Sequence, residues 1–376
     1  MESINIVEHS NAKNVLIIFS ARHTPKGKFT FSKRLNKIPA TKIFINDLSN
    51  SWYQNGVSEY PTYSNLISFL DEKISYYLKQ GGKVWTLGSS MGAYAALKFG
   101  SQLNADRIVA FSPEDQLGMK YSKSEENKVL VSENNVPLSS LTYKENSDVI
   151  VISNNGDPVD YYSANKLKDG IPDSKVYILN NFKHNVLSEL SENIIIDNIL
   201  YEMIVKGSSK SLAHITKSKV HGSEFAETFK EINENLIGGL EFKENYIETV
   251  EKLIKENPGW GYINYLYALC LDKKGFHSAA MKYYESCYKI SPYLGRPIIR
   301  LAELHSFRNE HEDVLRYLEP FCKNKYNIKA TKILTKTYLK LGLISSAIDA
   351  FDLFINKTKN NKDKKAIEIL RANLTK

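Results

Sequence analysis

Residues 84–97 read Val-Trp-Thr-Leu-Gly-Ser-Ser-Met-Gly-Ala-Tyr-Ala-Ala-Leu: an apolar strand-like run that enters a Gly-x-Ser-x-Gly and leaves as an Ala-rich helix. No other stretch constrains the fold as strongly, because a serine on so sharp a strand-to-helix turn stands exposed at the end of a sheet. Gly88 and Gly92 flank it where side chains would collide with the neighbouring elements. Ser90 is therefore the expected nucleophile. The helix behind it aims unpaired N–H groups at any anionic intermediate formed there.

A nucleophilic serine needs a base and an acid, here expected in the chain order Ser, acid, His. The β run 148–152 ends in the polar turn Ser153-Asn154-Asn155-Gly156-Asp157, which places Asp157 just past a strand's carboxyl end as the expected acid. Asp160, three positions on, is its rival, as are Glu114 and Asp115 after the strand 107–111. A further strand at 175–179 leads to His184, the expected base, ahead of an amphipathic segment from Val186 to Val205. An oxyanion hole would use the N–H of Met91 and a second N–H from the loop after the strand 15–19, either Ala21 or Arg22. His23, beside them, is read either as a substrate contact or as an exposed loop histidine.

Strands near 15–19, 41–46, 83–87, 107–111, 148–152 and 175–179 alternate with helical segments, which predicts the α/β class with a mostly parallel sheet covered on both faces. With Phe19-Ser20-Ala21, Leu87-Gly88-Ser89-Ser90-Met91-Gly92, Gly156-Asp157 and His184-Asn185 in its loops, the segment 14–205 resembles the α/β-hydrolase superfamily. The same loops are similar to those of small bacterial enzymes that include capsular-polysaccharide O-acetyltransferases and glycan esterases. The resemblance implies an α/β-hydrolase fold and acyl-enzyme chemistry on a small ester or an acylated glycan. Separately, the abundance of Lys, Asn, Ile and Tyr is a composition that AT-rich bacterial genomes give.

The second half follows another rule. Pro258 recurs as Pro292 and Ala268 as Ala302, at one and the same interval, and Ala268, Ala280 and Pro292 are evenly spaced within it. Val314 and Tyr326 continue the pattern, and Ala347 follows Val314 one position short of the full interval. A period of about 34 residues resembles the tetratricopeptide (TPR) repeat, in which small residues let paired helices cross closely. Gly275, Asn309 and Gly342 mark the expected turns. The reading is about three degenerate repeats over 258–358, a half-repeat at 243–257 and a polar capping helix from about 361: an all-α TPR-like solenoid. The expected division is a catalytic domain over 1–206, a polar, helix-poor linker over 207–242 and the repeats over 243–376.

Of the net charge of +8, residues 321–376 hold 13 Lys/Arg against 4 Asp/Glu, so the basicity belongs to the repeat end. Lys323, Lys325, Lys329, Lys332 and Lys336 suit a protein or acidic-polymer partner. Without a Gly-rich phosphate loop, zinc-ligand spacing or a nucleic-acid module, neither cofactor, metal nor nucleic acid is expected. Cys270, Cys287 and Cys322 read as reduced core residues. The N-terminus lacks a signal peptide's charged start and apolar core, and no apolar run approaches the ~20 residues that span a bilayer, so the expected location is cytoplasmic. Three function classes stay open: a serine hydrolase, favoured; an O-acetyltransferase that loads Ser90 from an acyl-CoA; and an interaction protein with a relict hydrolase domain.

Overall fold

The structure, a computed structural model, describes residues 3–10, 12–131, 135–193 and 196–374. The chain divides into two compact units, Met1–Leu240 and Glu241–Lys376.

The first unit is built on an eight-stranded sheet of order β1-β3-β2-β4-β5-β6-β7-β8. The strands are β1 (Ile4–Val7), β2 (Val15–Phe19), β3 (Thr41–Ile45), β4 (Val84–Ser89), β5 (Arg107–Phe111), β6 (Asp148–Asn154), β7 (Lys175–Leu179) and β8 (Lys217–Ser218). Strands β2 to β7 are mutually parallel, while β1 joins β3 and β8 joins β7 antiparallel at the two edges. All six parallel strands lie where the sequence places them. Their central residues are mostly apolar on both faces of the sheet because both faces are covered, and polar residues gather at the strand ends. Ile17, Phe19, Ile43, Val84, Ile108 and Val151 face α1 (Tyr63–Lys79), α2 (Met91–Gln102) and the end of α4 (Pro158–Gly170). Leu16, Ile18, Trp85, Leu87, Val109 and Ile150 face α5 (Val186–Asn193) and α6 (Ile196–Tyr201). A short helix, α3 (Lys123–Glu126), follows β5.

Residues 207–242 depart from the expected helix-poor linker. They carry β8 and a 16-residue helix, α7 (Ser223–Gly238), which packs on α4. Ala226 joins Met119, Val159 and Tyr162 in one apolar cluster, and Phe229 meets Tyr161 at 5.1 Å between ring centroids. Asn165 Oδ1 accepts from the N–H groups of His221 (2.7 Å) and Gly222 (3.1 Å), and Asp169 accepts from Ser223 N–H (2.7 Å). The first unit therefore runs past the expected boundary at 206, as far as Leu240.

The second unit is helical: α8 (Asn245–Glu256), α9 (Gly261–Lys273), α10 (His277–Ile290), α11 (Gly295–Phe307), α12 (His311–Asn324), α13 (Ile328–Lys340), α14 (Ile344–Lys357) and α15 (Asn361–Leu374). Each helix packs on its successor. The hairpins α9/α10, α11/α12 and α13/α14 begin at Gly261, Gly295 and Ile328, so their offsets reproduce the sequence period, including its one-position shortening in the last repeat. Gly275 (φ 81°), Asn309 (φ 59°) and Gly342 (φ 74°) take the left-handed backbone their turns require. Ala268, Ala280, Ala302, Val314 and Ala347 are fully buried at helix contacts. The three cysteines are free and buried, and burial pushes each thiol up to about 12. Among the described residues, no helix is long and apolar enough to cross a membrane.

Candidate active site

Ser90 sits between the end of β4 and the first turn of α2 with φ 55° and ψ −119°, a backbone conformation that costs of order 1–3 kcal/mol. Its surroundings hold it there. Ser90 N–H donates to Phe111 O at 2.8 Å, tying the turn to the end of β5. A Cβ on Gly88 would come within 1.9 Å of Gly92 O, and one on Gly92 within 2.1 Å of Phe19 O. The two glycines thus let α2 pack directly against the strand ends, as the motif demands.

Ser90 Oγ lies 2.7 Å from His184 Nε2. His184 Nδ1 in turn lies 2.9 and 3.0 Å from the two carboxylate oxygens of Asp160, which is 1% exposed. A carboxylate can only accept, so Nδ1 carries hydrogen and, in the neutral imidazole, Nε2 is left to accept from Ser90. Serine and histidine meet as the sequence suggests. The acid does not.

Asp157 is displaced from the expected role by its place in the helix. It is the N-cap of α4, with Pro158 in the first turn, and its Oδ1 accepts from the N–H groups of Val159 (2.9 Å) and Asp160 (3.3 Å). Three positions on, nearly a full turn, the chain brings Asp160 round to the imidazole. Asn154 fixes both: its Oδ1 accepts from Asp157 N–H at 2.8 Å while its Nδ2 donates to Asp160 Oδ2. Asn154 was not anticipated from sequence. The donor atoms of Asp157, Asp160 and His184 lie within 4.8 Å of one another, a spacing a cation could share, but the cap and the serine–histidine bond account for it without one.

The electrostatics follow from burial among carboxylates. Burial alone would lower the pKa of His184, but the charge and hydrogen bond of Asp160, with the charge of Asp157, raise it to about 9. Burial and the nearby Asp160 push Asp157 up. Glu114, 2% exposed, accepts from Ser124 N–H at 3.0 Å, and burial pushes it up to about 7. Asp115 is spent elsewhere, accepting from the N–H (2.8 Å) and hydroxyl (3.1 Å) of Ser139.

The loop after β2 separates the two oxyanion candidates. Ala21 N–H already donates to Thr30 Oγ1 at 2.9 Å, so it is committed within its own loop. His23, exposed and at φ 58°, donates its N–H to Asn50 Oδ1 at 2.6 Å. Arg22 N–H, like Met91 N–H at the start of α2, donates to no acceptor among the described residues. The loop is held by hydrogen bonds: Tyr53 Oη donates to Ser20 O (2.9 Å) and Ile45 O (3.1 Å), and Thr30 N–H donates to Ser20 Oγ (3.1 Å).

A mostly parallel sheet, a left-handed serine at the β4–α2 turn and a histidine after the last parallel strand define the architecture. The first unit is an α/β-hydrolase-like domain.

No protein-family model matches the chain, and no curated protein matches it. Among solved structures it is similar to a capsule O-acetyltransferase of Neisseria meningitidis serogroup A, at 16% identity over 51% of this chain and 89% of that one (TM-score 0.37). It is also similar to MenH from S. aureus, at 14% identity over 53% and 97% (TM-score 0.35). A third is XC6422 from Xanthomonas campestris, described as an α/β serine hydrolase without lid, at 12% identity over 53% and 86% (TM-score 0.33).

Proposed function

We propose that the α/β-hydrolase-like domain is a serine hydrolase that cleaves an acyl ester through an acyl-enzyme on Ser90. The observation that carries this reading is the hydrogen-bonded chain Ser90 Oγ–His184 Nε2 and His184 Nδ1–Asp160, with the serine partly open to solvent. Asp157, the acid expected from sequence, is replaced in this role by Asp160.

In the first half-reaction, Ser90 Oγ attacks the ester carbonyl while His184 Nε2 takes its proton. The carbonyl oxygen becomes an oxyanion and is met by the free N–H groups of Met91 and Arg22, backed by the N-terminus of the twelve-residue α2. Collapse breaks the bond to the alcohol, which leaves with the proton from His184. In the second half, His184 removes a proton from water, the resulting oxygen attacks the acyl carbonyl, and Ser90 recovers its hydrogen as the acid departs. Asp160 stabilises the imidazolium formed in each half and holds Nδ1 as a donor.

The second unit we read as TPR-like, on the regular offsets of its hairpins and their left-handed turns.

Pre-steady-state hydrolysis of 4-nitrophenyl acetate tests the chemistry. The expected result is a burst of one nitrophenolate per chain, with a protein mass raised by one acetyl group, both absent in Ser90→Ala. A linear time course with no acetylated protein, or a burst that survives Ser90→Ala, would reject the assignment. If added sugar hydroxyls speed loss of the acetyl group more than water does, the enzyme is instead an acyltransferase.

A further inference from the structure

Two cations stand on one side of the site, and the chemistry proposed for Ser90 does not use their charges. Lys123, first residue of α3, is tied to the loop after β2 through Glu126, and its charge is also felt at His184 and Asp157. Arg22 extends from the residue whose backbone N–H is free for the oxyanion. Both cations hold the same carboxylate: Glu126 Oε1 lies 2.9 Å from Lys123 Nζ, and Glu126 Oε2 lies 3.6 Å from Arg22. The pair therefore bridges the loop after β2 and the segment after β5, from which Glu114 grips α3 through Ser124 N–H.

Their exposures are unequal in an informative way. The side chains of Lys123 and Arg22 are 22% and 27% exposed, while that of Glu126 is 49% exposed. The two cations are thus partly withdrawn, and the anion between them lies outermost. An ion pair open to water on one side is weakly held and easily exchanged. A guanidinium and an ammonium converging on one carboxylate form the receptor that an incoming carboxylate or phosphate needs. Glu126 occupies the place that such a group would take.

Resting on the esterase reading above, we propose that Lys123 and Arg22 bind an anionic group of the substrate, displacing Glu126. The substrate class is then an ester that bears a phosphate or carboxylate near the scissile bond.

Three acetyl esters of one ring, differing only in charge, test this: acetylated glucose, acetylated glucose 6-phosphate and acetylated glucuronic acid, with acetate release measured at low salt. The wild type should prefer at least one anionic ester over the neutral one by about tenfold in kcat/KM. Which of the two is preferred identifies phosphate or carboxylate. Lys123→Gln should bring the ratio close to one, and Glu126→Gln, which removes the resident anion, should raise it. Ratios near one in the wild type, a ratio unmoved by Lys123→Gln or a ratio lowered by Glu126→Gln would overturn the proposal, while Ser90-dependent release from the neutral ester would leave the esterase reading intact. If none of the esters is cleaved and Ser90 is unreactive, the esterase reading fails by itself. The anion site is then judged by NMR titration with inorganic phosphate: binding weakened by Lys123→Gln and strengthened by Glu126→Gln supports it, and identical curves refute it.

Discussion

Asp160→Asn changes one atom and should remove nearly all activity, for a reason that can be traced through the hydrogen bonds. Asn154 cannot turn over to adapt, because its Oδ1 is held by Asp157 N–H while its Nδ2 points at residue 160. An amide at 160 must therefore offer its oxygen to Asn154 and its NH2 to His184 Nδ1. That arrangement satisfies every donor, but it forces Nδ1 to accept and moves the imidazole hydrogen to Nε2, where it faces Ser90 Oγ as a donor. The base can no longer take the serine proton. Loss of the right tautomer in a Ser-His-Asp system costs about 10⁴-fold in rate, or roughly 5 kcal/mol of barrier. Asp157→Asn makes the contrast, since an asparagine caps a helix about as well as an aspartate and leaves Asp160 in place, so activity should stay within about tenfold. The assay is kcat/KM on a 4-nitrophenyl ester, with thermal melting to show that both variants fold. If Asp160→Asn keeps more than about a tenth of wild-type activity, or if Asp157→Asn falls as far, the assignment of the acid is wrong.

The rate at which a fluorophosphonate labels Ser90 should rise with pH through about 9, because only the neutral imidazole can accept the serine proton and Asp160 holds that proton on; Asp160→Asn should move the limb to lower pH. Stability should run the other way. Glu114 is raised from its ordinary 4.5 to about 7 and His184 from 6.5 to about 9, so the folded chain binds protons more tightly than the unfolded chain. The melting temperature should then fall from pH 5 to 9 when scanned by calorimetry, and Glu114→Gln should flatten the part below 7. A chain of residues 1–240 should stay folded and react at Ser90, whereas one ending at 206 loses β8 and the α7 contacts that brace α4 and with it Asp160; solubility and labelling of the two products check this.

The parallel strands were legible because burial on both faces leaves a short apolar run, as in Val15–Phe19 and in Ile108 to Phe111. The elbow was legible because its glycines are steric necessities, and the helical hairpins because their small buried residues repeat. The carboxylate that meets the imidazole lies three positions beyond the one the sequence favours. Asp157-Pro158 carries the signature of an N-cap followed by the first helical position, and that signal points one turn on to Asp160 as the side chain returning to the sheet end. The choice between Ala21 and Arg22 depended on Thr30, on the far side of the same loop, which no local pattern reveals. Helix α7 was hidden by the polar Gly207-Ser208-Ser209 ahead of it, although Ala226, Phe229, Asn233 and Leu236 share the face it buries. Edge strands β1 and β8 are only four and two residues long, and they exist because a neighbouring strand offers its edge.

Whether Ser90 is a nucleophile activated by His184 can be read from the mass of the intact protein after exposure to a fluorophosphonate. The wild-type chain should gain one label at Ser90, Ser90→Ala should gain none, and His184→Ala should react at least about a thousandfold more slowly. A wild-type chain that stays unmodified, or a label that persists in Ser90→Ala, would contradict it.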